Sequence, residues 1–452
     1  MQFEISREYI DNLKELVEND NKKEVRKLMD ELHPADIAEV MDDLTMDEAK
    51  YIYLLLDGEK ASDVLVEIPE NDRNRFLREL PPGFIASKFI EYMDSDDAAD
   101  IVAALDEEIK KEVLNEIGDH GQAGDIVDLL EYEEDSAGGI MAKELVIVNE
   151  NWTVATCLKE ISKQAEEVDE IYYIYVVDDL NKLKGVLSLK KLILNNTSTK
   201  ISNIYNKDVK MVRTDTRQEE VAEIMDKYDL VAIPVVDEIG RLKGRITFDD
   251  VIDFVREEAE KDYQMVSGIT GDVEPGDRVW ELLRARLPWL LIGLLGGILN
   301  ARVLGTHGDI LKQVTELAFF IPLIAATAGN VGVQSSSIVV QSIASGVKDM
   351  ESTGKRLLKE ILVALATGAV FSTLLFIYNF FTSNNLDLTF SVSISLFIVI
   401  IFASFFGTVI PLVLNRFKID PAVATGPFIT TMNDICGLLI YFTVGNMFFT
   451  FM

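Results

Sequence analysis

The sequence predicts a multidomain fold: an α-helical superhelical N-domain, a tandem pair of duplicated α/β domains, and an all-α transmembrane domain of five spanning helices. Three observations predict it. Charge divides the 452-residue chain near residue 282: the front part is formally −35 and the back part +2. An 18-residue pattern recurs at an offset of 59 residues in the middle of the chain. Five apolar stretches follow, each near or above the roughly 20 residues that a bilayer demands.

Residues 1–135 read as an acidic helical domain. A short pattern recurs at Ala35-Asp36-Ile37, Ser62-Asp63-Val64, Ala99-Asp100-Ile101 and Gly124-Asp125-Ile126. Each Asp precedes an amphipathic stretch and is expected to cap it. The irregular spacing implies a small superhelix of stacked helices, not a strict repeat array.

Residues 136–253 carry the duplication. Val176–Ile193 matches Val235–Ile252 at 7 of 18 positions. Each copy reads as an apolar strand, a turn, a second strand after Gly, and a helix start. Lys190-Lys191 and Asp249-Asp250 mark those starts, and only the acidic pair suits the positive end of a helix. The arrangement resembles a tandem CBS pair, which implies adenine-nucleotide binding or a dimerising regulator. Asp249 and Asp250 stand where such a fold often places a ribose-binding Asp, and a plain helix cap is the competing explanation.

Residues 249–270 read as a charged connecting helix. Asp250, Asp253, Glu257, Glu258 and Asp262 load its polar faces, and Ser267-Gly268 stops it. A polar loop with Pro275-Gly276 then leads into residues 271–452. The apolar stretches there are 287–304, 317–343, 358–381, 388–414 and 422–449. Four basic residues in the 347–359 loop and two in 415–418, against none in 384–387, place the N-terminal part in the cytosol and the C-terminus outside. Arg302 and Lys312 are discordant with that orientation.

The acidic surface opposes nucleic acid, whose phosphates it repels, and suits cations. Two separated cysteines and three histidines favour neither a disulfide framework nor a soft-metal cluster. The N-terminus lacks the basic flank and apolar core of a signal peptide. A membrane protease is opposed by the lack of His-Glu-x-x-His, and an ATP-driven pump by the lack of a phosphate loop. No enzyme chemistry is therefore expected.

The chemistry-bearing groups lie in the spans. Asp434 sits in an apolar stretch with no Lys, Arg or His, where an unpartnered charge costs roughly 3 kcal/mol on insertion scales. Such a group persists where it meets water, a partner or an ion. Asn330 and Gln334 lie four apart on one helical face. Gly426-Pro427 frees backbone carbonyls, which is tolerated at membrane depth beside water or protein. One carboxylate with amide and carbonyl oxygens suits a largely hydrated Mg²⁺. A helix-packing role for the small residues is compatible with that reading.

Taken together, the acidic helical domain, Ser136-Ala-Gly-Gly-Ile-Met, the CBS pair, the acidic connecting helix, Gly329-Asn-Val-Gly-Val-Gln, and Asp420-Pro-Ala with Gly426-Pro427 and Asp434 resemble the MgtE magnesium transporters along essentially the whole chain. The resemblance implies a homodimeric, Mg²⁺-selective channel in the plasma membrane, with a pore on the dimer axis lined by the second and fifth spans. The pore ion-binding residues it implies are Asp434, Asp420, Asn330, Gln334 and Gly426. It implies regulatory Mg²⁺ at Asp96, Asp97, Asp100, Gly138, Asp229, Asp250, Asp253, Glu257, Glu258 and Asp262, closing the channel when cytosolic Mg²⁺ is high, and ATP in the CBS pair at Asp249 and Asp250. Lys261, Arg217 and Gly426 depart from the family pattern. Expected partners are Mg²⁺, membrane lipid and a second copy of the chain. The rival readings are a channel for another divalent cation such as Co²⁺ and a CBS-regulated anion channel.

Overall fold

Ten short helices open the chain because capping residues interrupt it about once per dozen positions. In this computed structural model, which describes residues 6–165, 168, 170–271, 273, 277–344, 353–383, 385–424 and 426–449, they are α1 (Arg7–Glu18), α2 (Lys22–Asp30), α3 (Pro34–Asp42), α4 (Met46–Leu55), α5 (Gly58–Val66), α6 (Glu70–Leu77), α7 (Pro82–Lys88), α8 (Ser95–Ala103), α9 (Glu107–Glu116) and α10 (His120–Leu129). Pro275-Gly276 and residues 347–352 of the basic loop lie outside the described residues. The expectation that Asp36, Asp63, Asp100 and Asp125 cap helices is corrected. All four lie within α3, α5, α8 and α10, whose N-cap positions are His33, Asp57, Asp94 and Asp119. The recurring pattern marks the core instead: Ile37, Val64, Ile101 and Ile126 after each Asp are wholly buried. Tyr53, stacked on Phe76 at 4.5 Å and edge-on to Phe89 at 6.0 Å, fills the centre of this layer.

The duplicated region folds as two matching three-stranded sheets. Strands β1 (Val146–Asn149), β2 (Ile174–Val177) and β3 (Leu183–Leu187) form the first, with helices α11 (Val154–Gln164) and α12 (Leu189–Leu194). The second consists of β4 (Val212–Arg213), β5 (Ala232–Val236) and β6 (Leu242–Thr247), with α13 (Gln218–Tyr228). In each, the first pair is parallel and the second antiparallel, and the register slips at Val176/Val177 and at Val235/Val236, which correspond under the 59-residue offset. The copies meet reciprocally: Leu183 N–H donates to the Gly240 carbonyl, and Leu242 N–H to the Asn181 carbonyl, both at 3.0 Å. These two bonds exchange under the same offset, so the pair has an internal pseudo-twofold.

The expectation that each second strand begins after a glycine is also corrected. Gly185 and Gly244 lie inside β3 and β6. A Cβ there would stand 2.0 Å from the Asn206 carbonyl oxygen and 2.6 Å from that of Ala142, because a neighbouring backbone crosses each strand. Val212, Val221, Ile233 and Ile246 of the second copy join the core of the helical layer, while the first copy keeps a core of its own.

The chain divides into two units, Met1–Val255 and Arg256–Met452. Helix α14 (Phe248–Val266) runs through the boundary. The second unit continues with α15 (Val279–Thr306), α16 (Gly308–Gln313), α17 (Leu317–Ala344), α18 (Thr353–Thr382), α19 (Leu386–Arg416), a 3₁₀ turn at Pro421–Ala424, and α20 (Pro427–Phe449). Five of these helices are long and apolar enough to cross a membrane: α15, α17, α18, α19 and α20. The fifth starts at Pro427, later than the sequence pattern implied, because residues 421–424 form the 3₁₀ turn. Small residues set the helix spacing. The Cβ that Gly407 lacks would lie 2.5 Å from the Gly332 carbonyl oxygen, so α17 and α19 touch backbone to backbone.

Candidate ion pathway and acidic cluster

Asp434 is half-buried on α20 and faces α17. A Cβ on Gly329 would stand 3.5 Å from its Oδ1 and 3.1 Å from the Thr430 methyl. The Gly-Asn step thus lets α20 bring its carboxylate against the α17 backbone. Asn330 and Gln334 are exposed on this chain, as four-residue spacing on one face requires. Gln334 also lines a cavity between α17, α18 and α19. Next to Asp434, Asn433 is fully buried, and both its amide atoms lack a hydrogen-bond partner among the described residues.

The start of α20 is built by Gly426, whose φ of +57° favours glycine. Its carbonyl accepts from both the backbone N–H and the hydroxyl of Thr430, at 3.1 and 2.9 Å. A Cβ on Gly426 would lie 2.4 Å from the Val266 carbonyl oxygen, and one on Gly268 would lie 2.7 Å from the Pro427 ring. The end of α14 is therefore lodged on the Gly426-Pro427 step. Trp289 Nε1 donates to Thr270 Oγ1 at 2.7 Å and pins the chain just beyond. This explains in physical terms why residue 426 carries no side chain. Asp420 lies before the 3₁₀ turn and accepts from Ala422 N–H at 2.8 Å. Desolvation, then Asp420 and Glu258, raise the pKa of Asp262, so acidic groups of α14 face Asp420. Glu258 pairs with Lys261 at 3.3 Å, and Glu257 is exposed.

In the first unit, Asp96 and Asp97 occupy the first turn of α8, beside Asp250 on α14. Desolvation and then Asp250 raise Asp96 well above the usual carboxylate range and Asp97 to about 7. Desolvation holds Asp100 up at about 6, with Arg73 opposing. Two residues that sequence reasoning missed complete the cluster. Carboxylate oxygens of Asp94, Asp96 and Glu144 lie within 4.8 Å of one another. Glu144 is placed by Ser95, whose N–H and hydroxyl both donate to it, at 3.2 and 2.8 Å. Asp94 also lies 3.9 Å from Arg245. An Asp-Ser step before a helix was the available signal for Asp94; Glu144, 50 positions on, gave none. Oxygens without nitrogen or sulfur, in a set of carboxylates, suit a hard dication.

Other expected residues lie elsewhere. Gly138 is set by close packing, since a Cβ there would meet the Tyr132 ring at 2.6 Å. Asp229 ends α13 with a φ of +50°. Asp253 is exposed on α14. Asp250 already accepts from Thr247 N–H and Oγ1, at 2.9 and 2.5 Å, as a helix cap. Asp249 acts on Tyr172, whose hydroxyl pKa is raised by desolvation, then Glu170, then Asp249.

A bundle of five spanning helices with an intramembrane carboxylate, joined to acidic cytosolic-type domains, defines a membrane transporter for a divalent cation. Family models agree in order along the chain: the MgtE intracellular N domain matches residues 32–135, the CBS domain 137–195 and 201–257, and the MgtE divalent cation transporter 321–444. The chain is 35% identical over 444 residues to the magnesium transporter MgtE of Thermus thermophilus, covering 96% of this chain and 97% of that one. It is 35% identical over 439 residues to its counterpart from Enterococcus faecalis, covering 96% of each. A crystal structure of the cytosolic domain of the Mg²⁺ channel MgtE in complex with ATP matches 54% of this chain and 99% of that one, at 37% identity and a TM-score of 0.51. The chain belongs to the MgtE family of magnesium transporters.

Proposed function

We propose that this chain forms a homodimeric Mg²⁺ channel of the plasma membrane, closed by cytosolic Mg²⁺. The observation that carries the pore assignment is Asp434 set against Gly329 of α17 in a segment without a basic residue. The exposed Asn330 and Gln334 of one copy would face those of a second copy, so that α17 and α20 line a shared axis. A lone carboxylate per chain with amide and carbonyl oxygens fits an ion that keeps most of its water, which favours Mg²⁺ over a dehydrated cation. Asp420 and the Gly426 carbonyl region lie at the entrance of α20. The first 135 residues, the CBS pair of 136–253 and the connecting helix of 249–270 act as the sensor, and residues 271–452 as the pore. The sensor side is cytosolic and the C-terminus lies outside.

The gate is the junction where α14 ends on Gly426-Pro427. Mg²⁺ at Asp94, Asp96, Glu144, Asp97 and Asp250 would offset the repulsion among these neighbouring carboxylates, and so favour the packed state. Two unit charges 4 Å apart interact by about 4 kcal/mol at an effective dielectric near 20. Removing a few such repulsions suffices to bias a conformational equilibrium, provided Mg²⁺ binds the packed state more tightly. Glu257, Glu258, Asp262 and Asp253 carry the same logic along α14. Gly138, Asp229 and Asp100 are assigned supporting places in the sensor.

ATP binding by the CBS pair is supported by the ATP complex of the related cytosolic domain. Asp249 is the better ribose ligand here, because Asp250 is engaged by Thr247. Calorimetry on the full chain should show saturable ATP binding that Asp249→Ala weakens; no heat at millimolar ATP would remove the nucleotide from the account. For the transport reading, Mg²⁺ uptake into liposomes, against Co²⁺ and chloride, is the test. Chloride flux in place of Mg²⁺ flux would reject the pore.

A further inference from the structure

The acidic cluster of the first unit has a cation built against it. Arg245 lies inside β6 and is 6% exposed. Its Nη2 stands 3.9 Å from Asp94 Oδ2. Nη1 donates to the Glu170 carbonyl at 3.1 Å, and the guanidinium lies 5.3 Å from the centre of the Tyr172 ring. Nε is buried with no hydrogen-bond partner among the described residues. Arg245 also acts electrostatically on Asp250.

The local backbone fixes this arrangement. Arg245 N–H donates to the Ala142 carbonyl at 2.9 Å, and Ala142 N–H donates back to the Arg245 carbonyl at 2.8 Å. One residue on, Lys143 N–H donates to Ser95 Oγ at 2.8 Å, and Ser95 in turn holds Glu144. The segment 142–144 therefore ties the cation to a carboxylate of the cluster. Neighbouring basic side chains are engaged otherwise: Lys143 pairs with Asp128 at 2.5 Å, and Arg73 acts on Asp97 and Asp100.

A guanidinium keeps its charge at every physiological pH, so it opposes any cation that these carboxylates hold. Resting on the reading of Asp94, Asp96 and Glu144 as a divalent-cation site, we infer that Arg245 sets the affinity of that site: it is a tethered monovalent counter-ion that keeps the site weak. A single and a double positive charge about 8 Å apart repel by an amount worth about fivefold in affinity even at the dielectric of water, and by more in a shielded site. Selectivity among divalent cations rests on availability more than on raw affinity. A resident cation that weakens the site leaves it to an abundant dication and keeps trace ones from filling it.

Calorimetric titration of the purified full chain with MgCl₂ tests this. The component of binding that Asp94→Asn with Glu144→Gln removes belongs to the cluster. In Arg245→Gln that component should saturate at an Mg²⁺ concentration lower by at least about fivefold, and Mn²⁺ binding should tighten with it. Arg245→Met should do the same and serves if the Gln variant does not fold. Arg245→Lys, which keeps the charge, should stay within about twofold of the original chain. The sign separates this role from a structural one, because loss of a mere strut weakens binding. Unchanged or weaker Mg²⁺ binding in Arg245→Gln and Arg245→Met would overturn the inference and leave the site standing. If the Asp94 and Glu144 variant removes no component of binding, the cluster is not a divalent-cation site, and the reading and the inference fall together.

Discussion

Asp434 and Gly426 show two ways in which single residues determine this membrane domain. Asp434 contributes charge: Asp434→Ala and Asp434→Asn should both abolish Mg²⁺ uptake in liposomes while leaving expression and dimerisation intact, because Asn keeps the shape and loses the attraction for a dication. Wild-type uptake in either variant would remove Asp434 from the pathway. Gly426 contributes space and conformation. Gly426→Ala places a methyl 2.4 Å from the Val266 carbonyl oxygen at a φ of +57°, so it should destabilise the second unit by roughly 1–3 kcal/mol. A fall in the thermal midpoint of purified protein checks this, and an unchanged midpoint would show that α14 does not lodge on this step. Asp434 stood out as a candidate from sequence, since a charge without a basic residue in an apolar run is visible without coordinates. The role of Gly426 did not, because it depends on a carbonyl 160 positions earlier.

At the scale of elements, the duplication and the five spans were readable because each is a periodic pattern: the 59-residue offset, and runs of apolar residues with charged ends. Cap positions in the helical layer were misread. The Asp-Ile and Asp-Val steps look like helix starts, yet they are the first core contacts inside helices capped three to six residues earlier. Assembly of the acidic cluster was half legible. Asp250 was visible at a helix start, and Asp96 and Asp97 came from the family resemblance, whereas Glu144 reaches them only through the Ser95 contact. This cluster has a pH signature. Asp97 has a folded-state pKa of about 7, above the 3.8 of an unperturbed Asp. A raised carboxylate pKa means the packed state binds the proton more tightly, so its stabilising effect is complete below pH 3.8 and is lost as pH rises to about 7. In EDTA, the thermal midpoint of the first unit should therefore rise by roughly 3–6 °C between pH 7.5 and 5.5. Millimolar Mg²⁺ should flatten that dependence by replacing the proton, and Asp97→Asn should flatten it too. A midpoint that falls on acidification over this range would contradict the cluster as described.

Over the whole molecule, charge divides the chain into the parts proposed as sensor and pore: −35 in the first 282 residues and +2 after them. On the proposed function, that asymmetry would couple regulation to the transported ion, because the cation that crosses the membrane would also relieve repulsion in the sensor. Neutralising Asp250, Asp253 and Glu258 together should shift closure to higher Mg²⁺ or remove it, without changing selectivity. Closure at the wild-type concentration in that variant would exclude α14 from the sensor. The most direct measurement is single-channel recording from inside-out patches of the full chain while cytosolic Mg²⁺ is stepped from micromolar to about 10 mM, a range set by the weak millimolar affinities of exposed carboxylate sites. The account predicts a divalent-cation current that is open at the low end and closes steeply and reversibly in the millimolar range. A current that stays open across the whole range, or one carried by chloride, would contradict it.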